Sequence, residues 1–222
     1  MTAAPSPGDF YNAFKPFVDE GREILYIGIS SLISSTIQNA TIAKGDFEDA
    51  KIEIVDSFNL SNAVGLLLFK AAELINQGMK LEEIGKSLRE ITPKVKTFFV
   101  VDTLDYLYKG GRCSALQHFF SSLLKIHPII KIEEGKMVVG EKVRGKIEKA
   151  LDIMIKDILS KKGKIDCNRI FLPHSMAHQS VEYVKSVLEK ELDNPELIVC
   201  ETGCVVSSHC GKNTIGIIYL EQ

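Results

Sequence analysis

The stretch Ile24–Ala40, ILYIGISSLISSTIQNA, decides how this chain is expected to fold. It begins with an apolar, β-branched run over 24–29, which predicts a buried strand. The run then gives way to Ser30, Ser31 and further hydroxyl residues, and we expect a helix over 32–44. A strand that passes through hydroxyls into a helix can hold an anion, because the helix start has unpaired N–H donors and a partial positive charge. The alternative is that one of these serines is only a helix N-cap.

Strand and helix alternate on either side of this stretch. A helix over 9–20 comes first, with Pro16 expected to kink or break it. The run 52–55 is the next short strand, and periodic apolar residues predict one helix beginning at Leu60 and another over 81–91. This alternation predicts a parallel sheet with right-handed crossovers. Ligands bind beyond the carboxyl ends of such strands, where Ser30-Ser31 and Asp56-Ser57 both fall.

The pattern changes from Val95 onward, and we predict two α/β domains, 1–94 and 95–222. A strand that runs into a short helix opens the second domain, and a hairpin is expected around Glu134-Gly135. Further helices are predicted over 116–124, 144–161 and 177–192, and further strands over 170–172, 197–200 and 215–220.

The composition excludes several classes of protein. The chain has 222 residues, 45% hydrophobic and 25% charged, with a net charge of −2, as in soluble globular proteins. It has no basic excess to neutralise nucleic-acid phosphates. No apolar run has the length of a membrane span, and the first residues do not form a signal peptide. Five cysteines, an odd number, favour reduced thiols and a cytoplasmic location.

Two loops carry groups that suit anion binding. Gly110-Gly111-Arg112 places a permanent cation on a backbone that can approach a ligand, although an exposed arginine in a turn is the simpler interpretation. The polar segment 207–211, expected to be a loop between strands, presents His209, which can donate to a carboxylate or phosphate or can merely be solvated.

A histidine pair and three later cysteines raise the question of a zinc site. His174 and His178 have i, i+4 spacing, and Cys200, Cys204 and Cys210 follow. The Cys-x3-Cys spacing is poor for zinc and no acidic partner was found downstream, so we expect no metal site. The sequence contains no G-x-S-x-G, H-E-x-x-H or phosphate-binding P-loop motif. The candidate residues are hydroxyls, one arginine and one histidine, set among aliphatic side chains. Such a set favours binding of a molecule that has a charged head group and an apolar body.

Six segments in order resemble the DegV family of bacterial fatty-acid-binding proteins. They are TAAPSPGDF, ISSLISSTIQNA, VDSFNLSNAVGLLLFKAAELI, VDTLDYLYKGGRCSAL, HPIIKIEEGKMV with EKVRGKIEKAL, and SSHCGKNTIGIIY. The resemblance implies a two-domain α/β protein of the DegV (EDD) fold, with parallel or mixed sheets and flanking helices. A long-chain fatty acid would lie in an interdomain pocket. Some members present it to a separate fatty acid kinase, which makes acyl-phosphate for phospholipid synthesis, so the binding protein is not itself an enzyme.

The resemblance also implies roles for particular residues. Thr2 and Ser31 would hydrogen-bond the carboxylate with Ser30 beside them, His209 would lie near the head group, and Arg112 would lie at the pocket mouth. Lys142 and Arg144 would extend that basic surface. We expect the tail to lie among aliphatic and aromatic side chains, namely Ile29, Ile33, Leu66 and Phe99. No cofactor and no metal is implied.

The sequence departs from the family at its start, because the usual strand and D-S-T motif ahead of Thr2 are absent. We therefore expect an exposed sheet edge and one open pocket wall. Either the chain is a fragment, or another element or another subunit, such as a second copy in a homodimer, covers the gap. Two other functions stay open. One is a serine-dependent hydrolase or transferase acting on an acyl or phosphorylated substrate, with Ser31 as nucleophile and His209 as base. The other is a relative that binds nothing.

Overall fold

The computed structural model describes residues 2–111 and 126–222, which form two compact units. The first unit comprises residues 2–93 together with 134–136. The second comprises the described parts of 94–133 and 137–222. Both units mix helices with strands, which confirms the predicted α/β class with parallel and mixed sheets.

The first unit is a two-stranded parallel sheet with helices around it. Its elements are α1 (Pro7–Asp19), β1 (Ile24–Gly28), α2 (Thr36–Lys44), β2 (Ile52–Asp56), α3 (Asn62–Asn76) and α4 (Leu81–Ile91). Alternate residues of β1 and β2 face opposite sides. Ile24 and Ile52 pack with Phe10 and Phe14 of α1, whereas Glu53 forms an ion pair with Arg89 of α4. Two strands alone would be marginal, so these helices stabilise the sheet.

The break expected at Pro16 does not occur, because α1 continues to Asp19. A capping box at the start of α1 stabilises it: the Asp9 N–H donates to Ser6 Oγ at 3.2 Å, and the Ser6 N–H donates to Asp9 Oδ2 at 2.7 Å. Phe10 and Phe14 bury one face of the helix. Packing and capping therefore outweigh the one backbone donor that proline lacks.

The second unit is built on a six-stranded sheet of order β5-β4-β3-β8-β6-β7. Its elements are β3 (Val95–Val100), α5 (Asp105–Gly110), β4 (Ile126–Glu133), β5 (Lys136–Arg144), α6 (Ile147–Leu159), β6 (Ile170–Ser175), α7 (His178–Glu191), β7 (Leu197–Glu201), α8 (Cys204–Cys210) and β8 (Thr214–Leu220). β3 is antiparallel to β4 and β8, β8 is antiparallel to β6, and β6 is parallel to β7. The predicted hairpin at Glu134-Gly135 is confirmed, whereas the helix predicted over 116–124 lies outside the described residues.

The core of the second unit lies between this sheet and the helices α6 and α7. Leu151 and Ile158 of α6 and Val184 and Leu188 of α7 pack with Leu172 of β6 in one buried cluster. In the parts of the chain that the structure describes, no helix combines the length and the apolar character needed to cross a membrane.

We predict that Leu172→Ala lowers the free energy of unfolding by about 2–5 kcal/mol, because it leaves a cavity in this core. Leu172 is 0% exposed. Its register partner on β7 is Val199, which is 42% exposed. Val199→Ala is the matched control and should cost less than about 1 kcal/mol. Urea unfolding measures both, and equal costs for the two variants would contradict the assigned core.

Candidate functional site

The carboxyl ends of β1 and β2 lie side by side, as the sequence predicted. Gly28 and Asp56 are register partners at the ends of these parallel strands. Two backbone hydrogen bonds extend the pairing into the loops: the Ser57 N–H donates to the Gly28 carbonyl at 3.1 Å, and the Ser30 N–H donates to the Asn59 carbonyl at 2.8 Å. The serines after β1 and the Asp56-Ser57 pair therefore belong to one local structure.

The helix start expected at Leu32, directly after Ser30-Ser31, is wrong, because α2 begins only at Thr36. Serine hydroxyls bond the backbone ahead of it: the Leu32 N–H donates to Ser30 Oγ at 3.2 Å, and the Thr36 N–H donates to Ser34 Oγ at 3.3 Å. Such local bonds compete with helical ones and favour turns. Ser30 and Ser31 thus precede a turn rather than a helix N-terminus, and the proposed dipole contribution to anion binding is lost.

Ser30 is fully buried and its hydroxyl is already used. Ser30 Oγ donates to the Gly135 carbonyl at 2.7 Å while it accepts the Leu32 N–H. Glu134 and Gly135 both have positive φ, 47° and 79°, as in the tight turn of a two-residue hairpin loop. A hydroxyl has one hydrogen to donate, so Ser30 cannot also donate to a ligand while this bond is kept. A direct contact between Ser30 and a carboxylate stays a prediction.

Ser31, in contrast, is exposed. Its backbone N–H donates to Asp56 Oδ2 at 3.1 Å, and Asp56 Oδ1 accepts the Phe58 N–H at 2.8 Å. The protein's own carboxylate therefore holds the backbone donor that the sequence assigned to a ligand. What Ser31 offers an outside molecule is its side-chain hydroxyl. The sequence places Asp56 at the end of a strand but does not reveal this role, and Asp56 is the last residue of β2.

Thr2 precedes α1 in the first unit, and its side chain is half-buried. Asn39 Nδ2 of α2 donates to the Pro5 carbonyl at 2.7 Å, which ties the opening loop to α2. Three of the side chains expected around the tail are also in this unit: Ile29, directly after β1, and Ile33, in the turn after Ser31, are half-buried, and Leu66 is buried in α3.

His209 lies in the second unit, on a helix where a loop was expected. The segment 204–210 forms α8, because the Ser207 N–H donates to the Gly203 carbonyl at 3.0 Å and the Ser207 hydroxyl lies 2.8 Å from Thr202 Oγ1. The next residue, Cys210, is buried, and this burial raises the pKa of its thiol to about 12, so the thiol is unreactive.

The structure brings His209 against the end of α5. A Cβ on Gly110 would collide with His209 Nδ1, so only glycine fits there. The sequence treated the Gly110–Arg112 turn and His209 as separate signals, and here Gly110 and His209 are neighbours. Arg112 itself lies outside the described residues.

We predict that Gly135→Ala destabilises the protein by about 2–3 kcal/mol, from backbone strain and a steric clash together. The added Cβ would lie 2.7 Å from Phe58 Cδ1 and 2.8 Å from Ser30 Oγ. Gly78 has the same φ of +79° with nothing within 4 Å, so Gly78→Ala measures the strain alone, about 1 kcal/mol. Urea unfolding compares the two, and equal losses would show that Ser30 and Phe58 do not enclose Gly135.

Comparison with known proteins gives the same family along the whole chain. A family model described as "Uncharacterised protein, DegV family" matches residues 1–222. A DegV domain-containing protein of Clostridium acetobutylicum is 31% identical over 223 residues, which cover 100% of this chain and 78% of the relative.

Two solved structures have the same fold. A DegV family protein from Thermus thermophilus, described by its fatty acid binding, has a TM-score of 0.90 at 29% identity and covers 100% of this chain and 79% of its own. The Streptococcus pneumoniae Fatty Acid Kinase (Fak) B3 protein, loaded with linoleic acid, has a TM-score of 0.86 at 25% identity and covers 99% and 78%. The match of the family model over all 222 residues, together with these likenesses, leads to one conclusion: this chain belongs to the DegV family.

Proposed function

We propose that this chain binds a long-chain fatty acid and presents it to a separate fatty acid kinase, without being a catalyst itself. The observation that carries the proposal is the similarity over the whole chain to the fatty-acid-binding DegV protein of Thermus thermophilus, with a TM-score of 0.90. The kinase partner rests on the similarity to the Fak B3 protein. A pocket between domains, a homodimer and a cytoplasmic location stay predictions.

The local geometry supports a division of labour between head group and tail. Ser31 offers a hydroxyl, and a hydrogen bond of this kind contributes about 1–3 kcal/mol. The Asp56 carboxylate on the Ser31 N–H repels a second carboxylate, which lowers the net contribution of the head group. Each buried methylene contributes about 0.8 kcal/mol, so the tail of palmitate supplies on the order of 10 kcal/mol before ordering costs. The tail therefore sets affinity and the hydroxyl sets orientation.

The hydrolase alternative needs Ser31 Oγ to be activated by a base. The acid that the structure places beside Ser31 is Asp56, and it accepts the backbone N–H rather than the hydroxyl hydrogen. This arrangement favours binding over nucleophilic catalysis. Labelling of Ser31 by an active-site serine probe would support the alternative instead.

We predict that palmitate binds with about 200-fold higher affinity than laurate, because it buries four more methylenes at about 0.8 kcal/mol each. Native mass spectrometry of the delipidated protein shows whether each acid binds at a one-to-one ratio, and calorimetric titration gives the two affinities. Equal affinities would mean that the tail is not buried. If neither acid binds and palmitate does not raise the melting temperature, the proposed function is wrong.

We predict that Ser31→Ala weakens palmitate binding by about 10-fold, with little effect on the melting temperature of the ligand-free protein. The stability is kept because Ser31 is exposed and its backbone bond to Asp56 does not need the side chain. The matched control is Ser35→Ala, because Ser35 is also exposed and makes no side-chain capping bond to α2. Unchanged palmitate affinity in the Ser31 variant would remove Ser31 from the site.

A further inference from the structure

Three side chains with metal-binding atoms meet in the second unit. His174, His178 and Glu201 each offer one ligand atom, and these atoms all lie within 4.8 Å of one another. The two imidazole rings are 5.0 Å apart between centroids and are inclined at 68°. His178 Nε2 is 3.9 Å from Glu201 Oε1.

The fold holds these residues together through two independent features. His174 on β6 and Glu201 on β7 are register partners at the carboxyl ends of parallel strands, so their side chains lie on the same face. His178 is the first residue of α7, and a left-handed Met176, with φ of 51°, turns the chain between the two histidines. The Thr202 N–H donates to the His174 carbonyl at 2.8 Å and fixes the backbone of the buried histidine.

We infer that His174, His178 and Glu201 bind a divalent transition-metal ion, with Zn²⁺ as the natural probe. Two imidazoles and one carboxylate are a ligand set that proteins use for zinc, with further positions left open for water. Zinc bond lengths of about 2.1 Å place ligand atoms about 3.4 Å apart in a tetrahedral site. The distances between the three ligand atoms must therefore shrink by about 1 Å. The side chains of His178 and Glu201 can make this movement because they are 73% and 70% exposed.

The ring of the buried His174 has a long contact with the backbone. The Ala177 N–H donates to His174 Nδ1 over a long 3.4 Å, and this weak contact must be given up whichever ring nitrogen coordinates.

This inference corrects the expectation that no acidic partner joins the two histidines. The partner is Glu201. It directly follows Cys200, which the sequence analysis named as a candidate ligand. Consecutive strand residues face opposite sides, so Cys200 is directed away from the face that carries His174 and Glu201. Cys210 is buried with a pKa raised to about 12, so its thiolate form is disfavoured.

Calorimetric titration of ZnCl₂ into chelator-treated, untagged protein tests the site. We expect one zinc ion to bind per chain. His178→Ala and Glu201→Ala should each lower the zinc affinity by at least about 10- to 100-fold, which is the loss that changes in the outer shell of a metal site already cause. Glu182→Gln, at another exposed position of α7, and Cys200→Ser are the matched controls and should bind like the wild type. Zinc should raise the melting temperature of the wild type and of both controls, but not of the two ligand variants.

Both ligand variants replace exposed side chains, so their metal-free melting temperatures should equal that of the wild type and folding does not confuse the result. Co²⁺ substitution gives a second readout, with ligand-field bands but no thiolate charge-transfer band. The inference is overturned if the wild type does not bind zinc, if the two ligand variants bind it like the wild type, or if Cys200→Ser abolishes binding. None of these outcomes depends on fatty acid binding.

Discussion

The hydrogen bond from the Ser30 hydroxyl to the Gly135 carbonyl is the contact on which the candidate site depends. It is buried, 2.7 Å long, and joins residues 105 positions apart in the chain. A buried polar group left without its partner costs about 1–3 kcal/mol, whereas the ion pair between Lys15 and Asp19 is exposed and screened by solvent. By holding the hairpin turn against the loop after β1, this bond fixes the backbone that presents Ser31 at the surface.

The sequence predicted the bounds of those elements whose ends carry glycine or proline. The bounds of α4 were anticipated, because an amphipathic repeat lies between Gly78 and Pro93. The start of α2 was misplaced by several residues. Ser30 and Ser34 accept backbone N–H groups two residues ahead, and these bonds favour a turn over the costly first turn of a helix. Apolar periodicity does not reveal that competition.

Contacts between distant residues account for what the sequence did not reveal. Nothing near Gly135 indicates that Ser30 will donate to it, because that depends on where the hairpin turn lies after folding. The pairing of His174 with Glu201 follows from the register of β6 and β7. Spacing along the chain suggested Cys200 and Cys204 as ligands. Pairing between strands instead places Glu201 beside His174. The two histidines of the proposed metal site could be recognised from the sequence. The third ligand, Glu201, could be found only from the register of β6 and β7.

The chemistry of the head-group contact also fits the step that the proposed kinase partner must perform. An arginine that bound the carboxylate through two charged hydrogen bonds would hold it more tightly, but would cover both oxygens. A single serine hydroxyl satisfies one lone pair and leaves the other oxygen able to attack a phosphoryl group. In the proposed site, the Asp56 charge beside Ser31 would further weaken retention of the head group. A site that keeps its ligand by the tail and holds its reactive end loosely is therefore suited to presenting an acid rather than to storing it.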